Sequence, residues 1–463
     1  MPAFTVEEIV RGTRGALIGG DLGIAVSGVS IDSRTLRVGE AFFAIRGDRL
    51  DGHTFLRDAV GRGAGCLIVD IVPDELPAGV PLVLVDDATV ALGRFGAWHR
   101  SRFTIPVASV TGSNGKTTTK EMMAAVLGAL GPVLKPESSF NNQWGLPLTL
   151  LKLTAEHRSA ALELGTNRPG EIAALAAIAR PTVAAVTTVS SAHTEFLGSL
   201  ESIQEEKAAL VRAIPADGAV VLNADDPRVL AMTTASRARV WTYSVRGPAD
   251  IRSAGAVDEG PAGVGFTLEA PDGRRPVRLR FAGRHNVTNA LAAAGIGVAL
   301  GLGIEQIARG LETARPAKGR CVWRSAGALS ILDDTYNANP VSVRAALETL
   351  AASAGERRRV VVLGDMLELG SITDAVHHEM GAAVAASGAA EFIGLGRACR
   401  VAVDAAREAG LAESHHAATF EDTVALLLKR LVPGDAVLVK GSRGMRMERV
   451  VDALLARFGG EDA

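Results

Sequence analysis

Aromatic residues are scarce in this chain, 4% of its 463 positions, so the cores must be filled mainly by Ala, Val, Leu and Ile. A dominant charge is missing as well: 49 Lys and Arg against 51 Asp and Glu leave a formal net charge of −2. Both features argue against a protein that coats nucleic acid, and the charge balance argues against a polybasic membrane-surface protein. Only three cysteines occur, Cys66, Cys321 and Cys399, far apart in the chain. Odd in number and without metal-ligand spacing, they make no disulfide framework and fit a reducing compartment. No stretch of about 18 apolar residues is present to span a bilayer. The opening MPAFTVEEIVRG puts acidic residues where a secretory signal carries its basic region and apolar core. Repeats of solenoid period are absent too. The expectation is a soluble, cytoplasmic, multidomain protein of about three domains, with no nucleic-acid partner and no membrane span.

What is present is alternation. From residue 106 onward, short apolar runs, glycine or asparagine turns and Ala/Leu-rich helical stretches succeed one another. IPVASV precedes TGSNGKTTTKEMMAAVLGAL, SAALELG precedes EIAALAAIA, and TVAAVTTV precedes SSAHTEF. Such alternation predicts crossover units and a mostly parallel sheet, and the fully apolar strands predict burial on both faces. Joints are expected at SRFTIP (101–106) and TARPAKG (313–319), which divide the chain into residues 1–104, 105–315 and 316–463. The first part mixes strands (AFFAI, CLIVD, LVLVDD) with helices, and the last repeats strand-then-turn in ALSILDD, RRVVVLGDM, EFIGLG and AVLVKGS. Segment 250–282 predicts an antiparallel edge hairpin.

The strongest local signal is VASVTGSNGKTTTKEMMAAVL. An apolar strand runs into Gly112, Ser113, Asn114, Gly115, Lys116 and Thr117, followed by Thr118 in a helix that begins at once. Glycines let backbone N–H groups converge on phosphate oxygens, and the helix N-terminus favours negative charge. Lys116 is expected to reach the β- and γ-phosphates, and the Thr117 hydroxyl to ligate Mg²⁺. The spacing is a tight T-G-x-x-G-K-T variant, because Val110 stands where the common pattern has its first glycine. ATP binding follows from this segment, but motors, switches, kinases and ligases all remain open.

Further segments narrow the choice. NNQWGLPLTLL, ELGTNRPGEI, SSAHTEFLGSLESIQEEKAAL, GRHNVTNALAA and DDTYNANPVSVRAAL follow the loop in order, and VSIDSRTLRVGEAFFAIRGDRLDGH and VLVKGSRGMRMERVV lie near the two ends. Taken together these resemble the Mur ligase family, which adds amino acids to the bacterial cell-wall precursor. The resemblance covers nearly the whole chain. It implies three α/β domains: a small N-terminal one binding a UDP-linked substrate, a central P-loop mononucleotide-binding parallel-sheet domain, and a C-terminal Rossmann-like domain that binds the incoming amine and closes over ATP. Within the family, YNANPxS and KGSRxMRME are similar to the member that acts last. That member joins D-alanyl-D-alanine to UDP-N-acetylmuramoyl-tripeptide through an acyl phosphate, as a carbon–nitrogen ligase. The DNPR motif of the ligase adding the third residue is not found; its near miss is ADDPR at 224–228. The rival readings are that sibling, a folylpolyglutamate synthetase, and a Mur-like nucleotide-binding regulator that does not ligate. A monomer is expected, and the third residue of the tripeptide is left open.

Site residues follow on the same footing. Glu163 ends the apolar run SAALE, where open α/β sheets bind ligands, and is expected to hold Mg²⁺; a helix-capping or salt-bridged glutamate is the other reading. His193 is an ordinary loop histidine by itself, and the resemblance implies a contact to a second metal ion. Lys207, in ESIQEEKAAL, reads as a solvated lysine beside Glu206. The resemblance implies instead a lysine carbamylated by CO₂, turned into an anion that supports Mg²⁺. Asn286 and Asn289 share a helix face and are expected at the adenine edge, with N-capping by Asn286 as the competitor. Arg320 and Asp334 match residues that reach the nucleotide's phosphates and ribose once the C-terminal domain closes. Asn141 and Asn142 lie in a segment resembling the family's substrate contacts. Asn337 and Asn339 stand either as loop-stabilising side chains or as dipeptide contacts. Ser33 and Arg34 resemble the residues that hold the UDP end, although a surface turn with a salt bridge reads the same.

Overall fold

A computed structural model describes residues 3–47, 50–75, 79–136, 140–190, 197–260 and 263–459. Three of the four sheets among the described residues organise the chain; the fourth only pairs Phe4–Thr5 with Ala25–Val26. The first has five strands in the order Ala16–Gly19, Leu82–Leu84, Cys66–Val69, Glu40–Phe43, Gly28–Ser30, parallel except at the first pair. Helix Ala88–Arg100 closes one face, started by Asp87, whose carboxylate accepts the Val90 N–H.

The second sheet has nine strands. Six of them, Val133–Leu134, Ser159–Glu163, Val107–Thr111, Val183–Val186, Ala219–Asn223 and Arg239–Ser244, run parallel in that order. Ile251–Gly260 continues them, and Gly263–Ala270 and Gly273–Leu279 add an antiparallel edge, as the alternation in 250–282 predicts. Because the inner strands are apolar on both sides, a separate core forms on each face. Helices Lys116–Leu127, His285–Ala299 and Ile304–Thr313 cover one, and Glu171–Ala179 and Leu200–Ala213 cover the other.

The third sheet has the order Val322–Ala326, Leu329–Asp334, Ala436–Lys440, Arg359–Gly364, Glu391–Leu395, Ser414–Ala417, antiparallel only at its first pair. Helices on both faces again split its core in two. The α/β reading with mostly parallel, doubly covered sheets is what the structure contains. The three cysteines are buried and free. Among the described residues, no helix is long and apolar enough to cross a membrane.

Candidate active site

Strand Val107–Thr111 lies where the central sheet reverses its order: the chain first builds outward on one side, through Ser159–Glu163, then crosses to Val183–Val186 on the other. A crevice forms at the carboxyl ends of strands at such a point. The loop that follows is pressed against its surroundings. A Cβ on Gly112 would stand 1.8 Å from Thr187 Oγ1, and one on Gly115, where φ is +81°, 2.2 Å from Asn289 Oδ1. Only glycine fits either place. Ser113 and Asn114 donate their N–H groups to the Thr188 carbonyl and hydroxyl at 2.8 and 3.2 Å. Lys116 opens the helix and turns its Nζ onto the Gly112 carbonyl at 2.8 Å. Loss of water lowers the pKa of this ammonium, Glu163 opposes the shift, and Arg320 adds to it.

Glu163 does end its strand at the crevice and is only 2% exposed. Among the described residues it caps no helix and no cation stands within ion-pair distance; Oε2 accepts from Thr117 Oγ1 at 2.9 Å and Oε1 from Asn141 Nδ2 at 2.7 Å. The neighbouring Asn142 spends its side-chain oxygen on the N–H groups of Trp144 and Gly145, starting the next short helix.

Lys207 departs from the solvated reading. It is 3% exposed on helix Leu200–Ala213, and no carboxylate of a described residue stands within ion-pair distance. Glu206 is taken instead by the N–H groups of Gly170 and Ile172, both at 2.7 Å. Burial, with repulsion from Lys116, pulls Lys207 down to about 7. His193 lies outside the described residues.

Asn286 does not cap its helix, which begins at His285 with Arg284 at the cap position. Its Nδ2 donates to the Ala282 carbonyl at 2.7 Å, and Asn289 Nδ2 donates to Asn286 Oδ1 at 2.8 Å. With Asn289 Oδ1 also accepting from Thr119 Oγ1 at 3.3 Å, the pair braces the phosphate loop from below.

The C-terminal domain meets the loop directly. Arg320 Nη2 donates to Thr117 Oγ1 at 3.1 Å, and Asn339 Nδ2 to Asn114 Oδ1 at 2.7 Å. Asn339 also caps helix Pro340–Ser353 through the Ser342 N–H, so one amide shapes its own loop and reaches across. Asn337 Oδ1 accepts the N–H groups of Ala338, in its own loop, and of Arg443, in the loop after strand Ala436–Lys440. Asp334 accepts from Lys440 Nζ at 2.5 Å and from the Cys321 N–H at 3.1 Å.

The phosphate loop from Ser113 to Thr118, Asn141, Glu163, Asn286, Asn289 and, from the C-terminal domain, Arg320, Asp334, Asn337 and Asn339 line a cavity of about 690 Å³ that also takes Arg46 and Gly47 from the first domain; Lys207 is not in its wall. Ser33 and Arg34 are not in its wall; Ser33 is buried, and exposed Arg34 forms a fork on Asp32 at 2.9 and 2.7 Å. Sequence reasoning missed Tyr336, His285, Lys440 and Arg46, all of which line the cavity. Lys440 had a signal, since it ends the apolar strand Ala436–Lys440 beside Asp334 exactly as Glu163 ends its own strand, and Arg46 had none. A second recess of about 940 Å³ adjoins the first through Thr188, His285 and Thr288. The ADDPR segment lies on its wall, where Asp226 caps a short helix through the N–H groups of Arg228 and Val229.

Models described as the Mur ligase family catalytic domain, the Mur ligase middle domain and the Mur ligase glutamate ligase domain match residues 25–98, 110–297 and 319–443. The chain is 36% identical to UDP-N-acetylmuramoyl-tripeptide–D-alanyl-D-alanine ligase of Escherichia coli K12, over 98% of this chain and 99% of that protein. A crystal structure of MurF from Acinetobacter baumannii superposes with a TM-score of 0.89 at 31% identity, covering 98% of this chain and 99% of the other. MurF ligase from Thermotoga maritima in complex with ADP superposes with a TM-score of 0.80 at 27% identity, covering 93% and 97%. The chain belongs to the Mur ligase family.

Proposed function

We propose that this chain is an ATP-dependent ligase that joins D-alanyl-D-alanine to UDP-N-acetylmuramoyl-tripeptide in peptidoglycan synthesis, releasing ADP and phosphate. The observation that carries the reading is the run Arg320–Thr117–Glu163, which links the C-terminal domain to the phosphate loop and to a buried carboxylate in one cavity. ATP binding is supported by the Thermotoga relative's complex with ADP and by this chain's own loop.

The chemistry needs positioning and positive charge more than covalent help. A terminal carboxylate oxygen of the tripeptide attacks the γ-phosphorus, and the bridging oxygen leaves with ADP. The amine of the dipeptide then attacks the acyl carbon, the carbon–oxygen bond to phosphate breaks, and the ammonium proton is lost. Lys116 and Arg320 bear on the phosphoryl oxygens. Asn339 and Arg320 hold the C-terminal domain against the loop, which excludes water from the acyl phosphate. His285 and Thr288 line both recesses, so the nucleoside end runs past them, with Asn286 and Asn289 behind the loop. Asn141 keeps Glu163 in place. The first domain, through Arg46 and its neighbours, takes the UDP-linked substrate, with Ser33 and Arg34 as its outer contacts.

The hydroxyl and carboxylate of Thr117 and Glu163 are hard oxygen donors suited to Mg²⁺. They would hold the ion with Lys207 and His193, and it would neutralise phosphate charge when bound. Lys207 suits carbamylation: it is buried and near neutrality as the free amine, the form that adds CO₂.

The test is phosphate release from ATP and Mg²⁺ with UDP-N-acetylmuramoyl-tripeptide, with and without D-alanyl-D-alanine, followed by mass spectrometry. Ligation that needs both substrates and yields the pentapeptide is expected. Joining a free diamino acid to the dipeptide precursor instead would reassign the chain to the sibling ligase. Nucleotide binding with no ligation of any acceptor would make it a regulator.

A further inference from the structure

The segment entering the C-terminal domain is folded back onto the loop at the end of strand Leu329–Asp334. The Tyr336 N–H donates to the Gly319 carbonyl at 3.0 Å, and the Cys321 N–H donates to Asp334 Oδ1 at 3.1 Å. Asp334 is itself fixed by Lys440. Gly319 and Cys321 both have left-handed backbones, with φ of 71° and 57°. A Cβ on Gly319 would stand 3.0 Å from Thr335 Oγ1 and 3.2 Å from the Tyr336 nitrogen, so the close approach suits glycine. For cysteine the conformation is unfavourable, and it persists because the surrounding bonds hold it.

Arg320 lies between these two residues. Its guanidinium carbon stands 3.8 Å from the centroid of the Tyr336 ring, a cation–π stack that fixes the plane of the fork. One arm, Nη2, reaches Thr117. The other point of the fork is unusual: Nε is buried and makes no hydrogen bond to any described residue. A buried guanidinium N–H left unpaired is costly, so the plane of this side chain is set by its other contacts, the Tyr336 ring and Thr117. The Tyr336 phenol oxygen bonds to no described residue, so the ring face is the part of this side chain that the arrangement uses.

We propose that Tyr336 is the positioning residue for Arg320, holding the guanidinium flat so that its N–H groups meet the terminal phosphate of a nucleoside triphosphate. The inference rests on the ligase reading only in taking that phosphate as the acceptor. Its test needs no ligation. Calorimetry on the full chain with Mg²⁺ would give the affinity for ADP and for a non-hydrolysable ATP analogue, in the wild type, Tyr336→Phe, Tyr336→Ala, Arg320→Ala and the double variant. Wild type and Tyr336→Phe are expected to prefer the analogue alike. Tyr336→Ala and Arg320→Ala should each lose about tenfold of that preference, the scale of one charge-assisted hydrogen bond. The double variant should lose no more of that preference. The proposal is overturned if ADP affinity falls in Tyr336→Ala, because the ring would then touch the nucleoside or support the fold. It is equally overturned if the two losses multiply, or if the wild type shows no preference. A wild type that shows the preference but makes no pentapeptide would sink the ligase reading and leave this one standing.

Discussion

Helix Ala88–Arg100 reaches the central domain through buried packing and one submerged cation, whereas the C-terminal domain meets that same body at the cavity through side-chain amides, a hydroxyl and a guanidinium. At the first joint, a Cβ on Gly96 would stand 2.9 Å from Pro147 Cα, so the two helices touch backbone to backbone. Arg100, 6% exposed, donates to the carbonyls of Ala179 at 3.1 Å and Phe103 at 2.6 Å, with Ile105 and Arg180 at 3.5 and 3.4 Å. Burial, with the charge of Arg180 beside it, draws its pKa below the usual arginine value. At the second joint, among the described residues, the cross-domain side-chain bonds include Arg320 to Thr117 and Asn339 to Asn114, both on phosphate-loop residues. The difference teaches which contact belongs to stability and which to function. The first is complete without ligand. On the proposed function the second is built from groups that would meet the nucleotide, so binding would exchange one set of polar partners for another at little net cost.

The largest expected effect lies on the polar side. Lys116→Met should lower ligation about a thousandfold, as loss of one preorganised charge at a reacting centre does, while leaving the melting temperature unchanged or raised. Equal loss of stability and activity would break the comparison, because Lys116 would then be holding the fold. Arg100→Ala should do the reverse. It strands buried carbonyls and should cost about 3 kcal/mol in denaturant unfolding, with the activity of the folded fraction kept.

Lys207 sharpens the contrast through pH. Its folded value of about 7 lies below the 10.5 of an ordinary lysine, so between those values the unfolded chain binds more protons and stability rises with pH. In CO₂-depleted buffer this one group should add up to about 1.4 kcal/mol per pH unit within the window, and Lys207→Met should remove that part of the slope. A slope unchanged in the variant would place the lysine in water. The smallest effect is expected from Asn339→Ala. Loss of a helix cap and one exchangeable bond should cost about 1 kcal/mol by thermal unfolding.

Much of this was legible in the sequence, and what was not has physical causes. An apolar strand breaking into Gly-x-x-Gly-Lys-Thr and then a helix announces the loop, because each residue is set by its immediate neighbours. Glu163 is legible for the same reason, as the charge that ends an apolar run. Lys207 is not. ESIQEEKAAL reads as a solvated face, yet Glu206 and Lys207 are both buried because the helix packs on Glu171–Ala179, and Glu206 is spent on backbone there. Arg100 looks like linker charge until its four carbonyls are seen, two of them, from Ala179 and Arg180, contributed by residues that local spacing does not bring near. The Asn339–Asn114 bond spans two domains, and no local pattern carries it. Ser33 and Arg34 show the converse. Their motif is clear, but their side chains stand outside the cavity wall, and the turn with an Asp32–Arg34 fork is what the structure contains.

The central claim is that the cavity between the domains makes an acyl phosphate before the amine is used. Hydroxylamine trapping tests it most directly, with ATP, Mg²⁺ and UDP-N-acetylmuramoyl-tripeptide present and D-alanyl-D-alanine left out. A hydroxamate of the tripeptide, formed by the wild type and lost in Lys116→Met, is the predicted result. Pentapeptide synthesis by the same preparation with no trappable hydroxamate would contradict it.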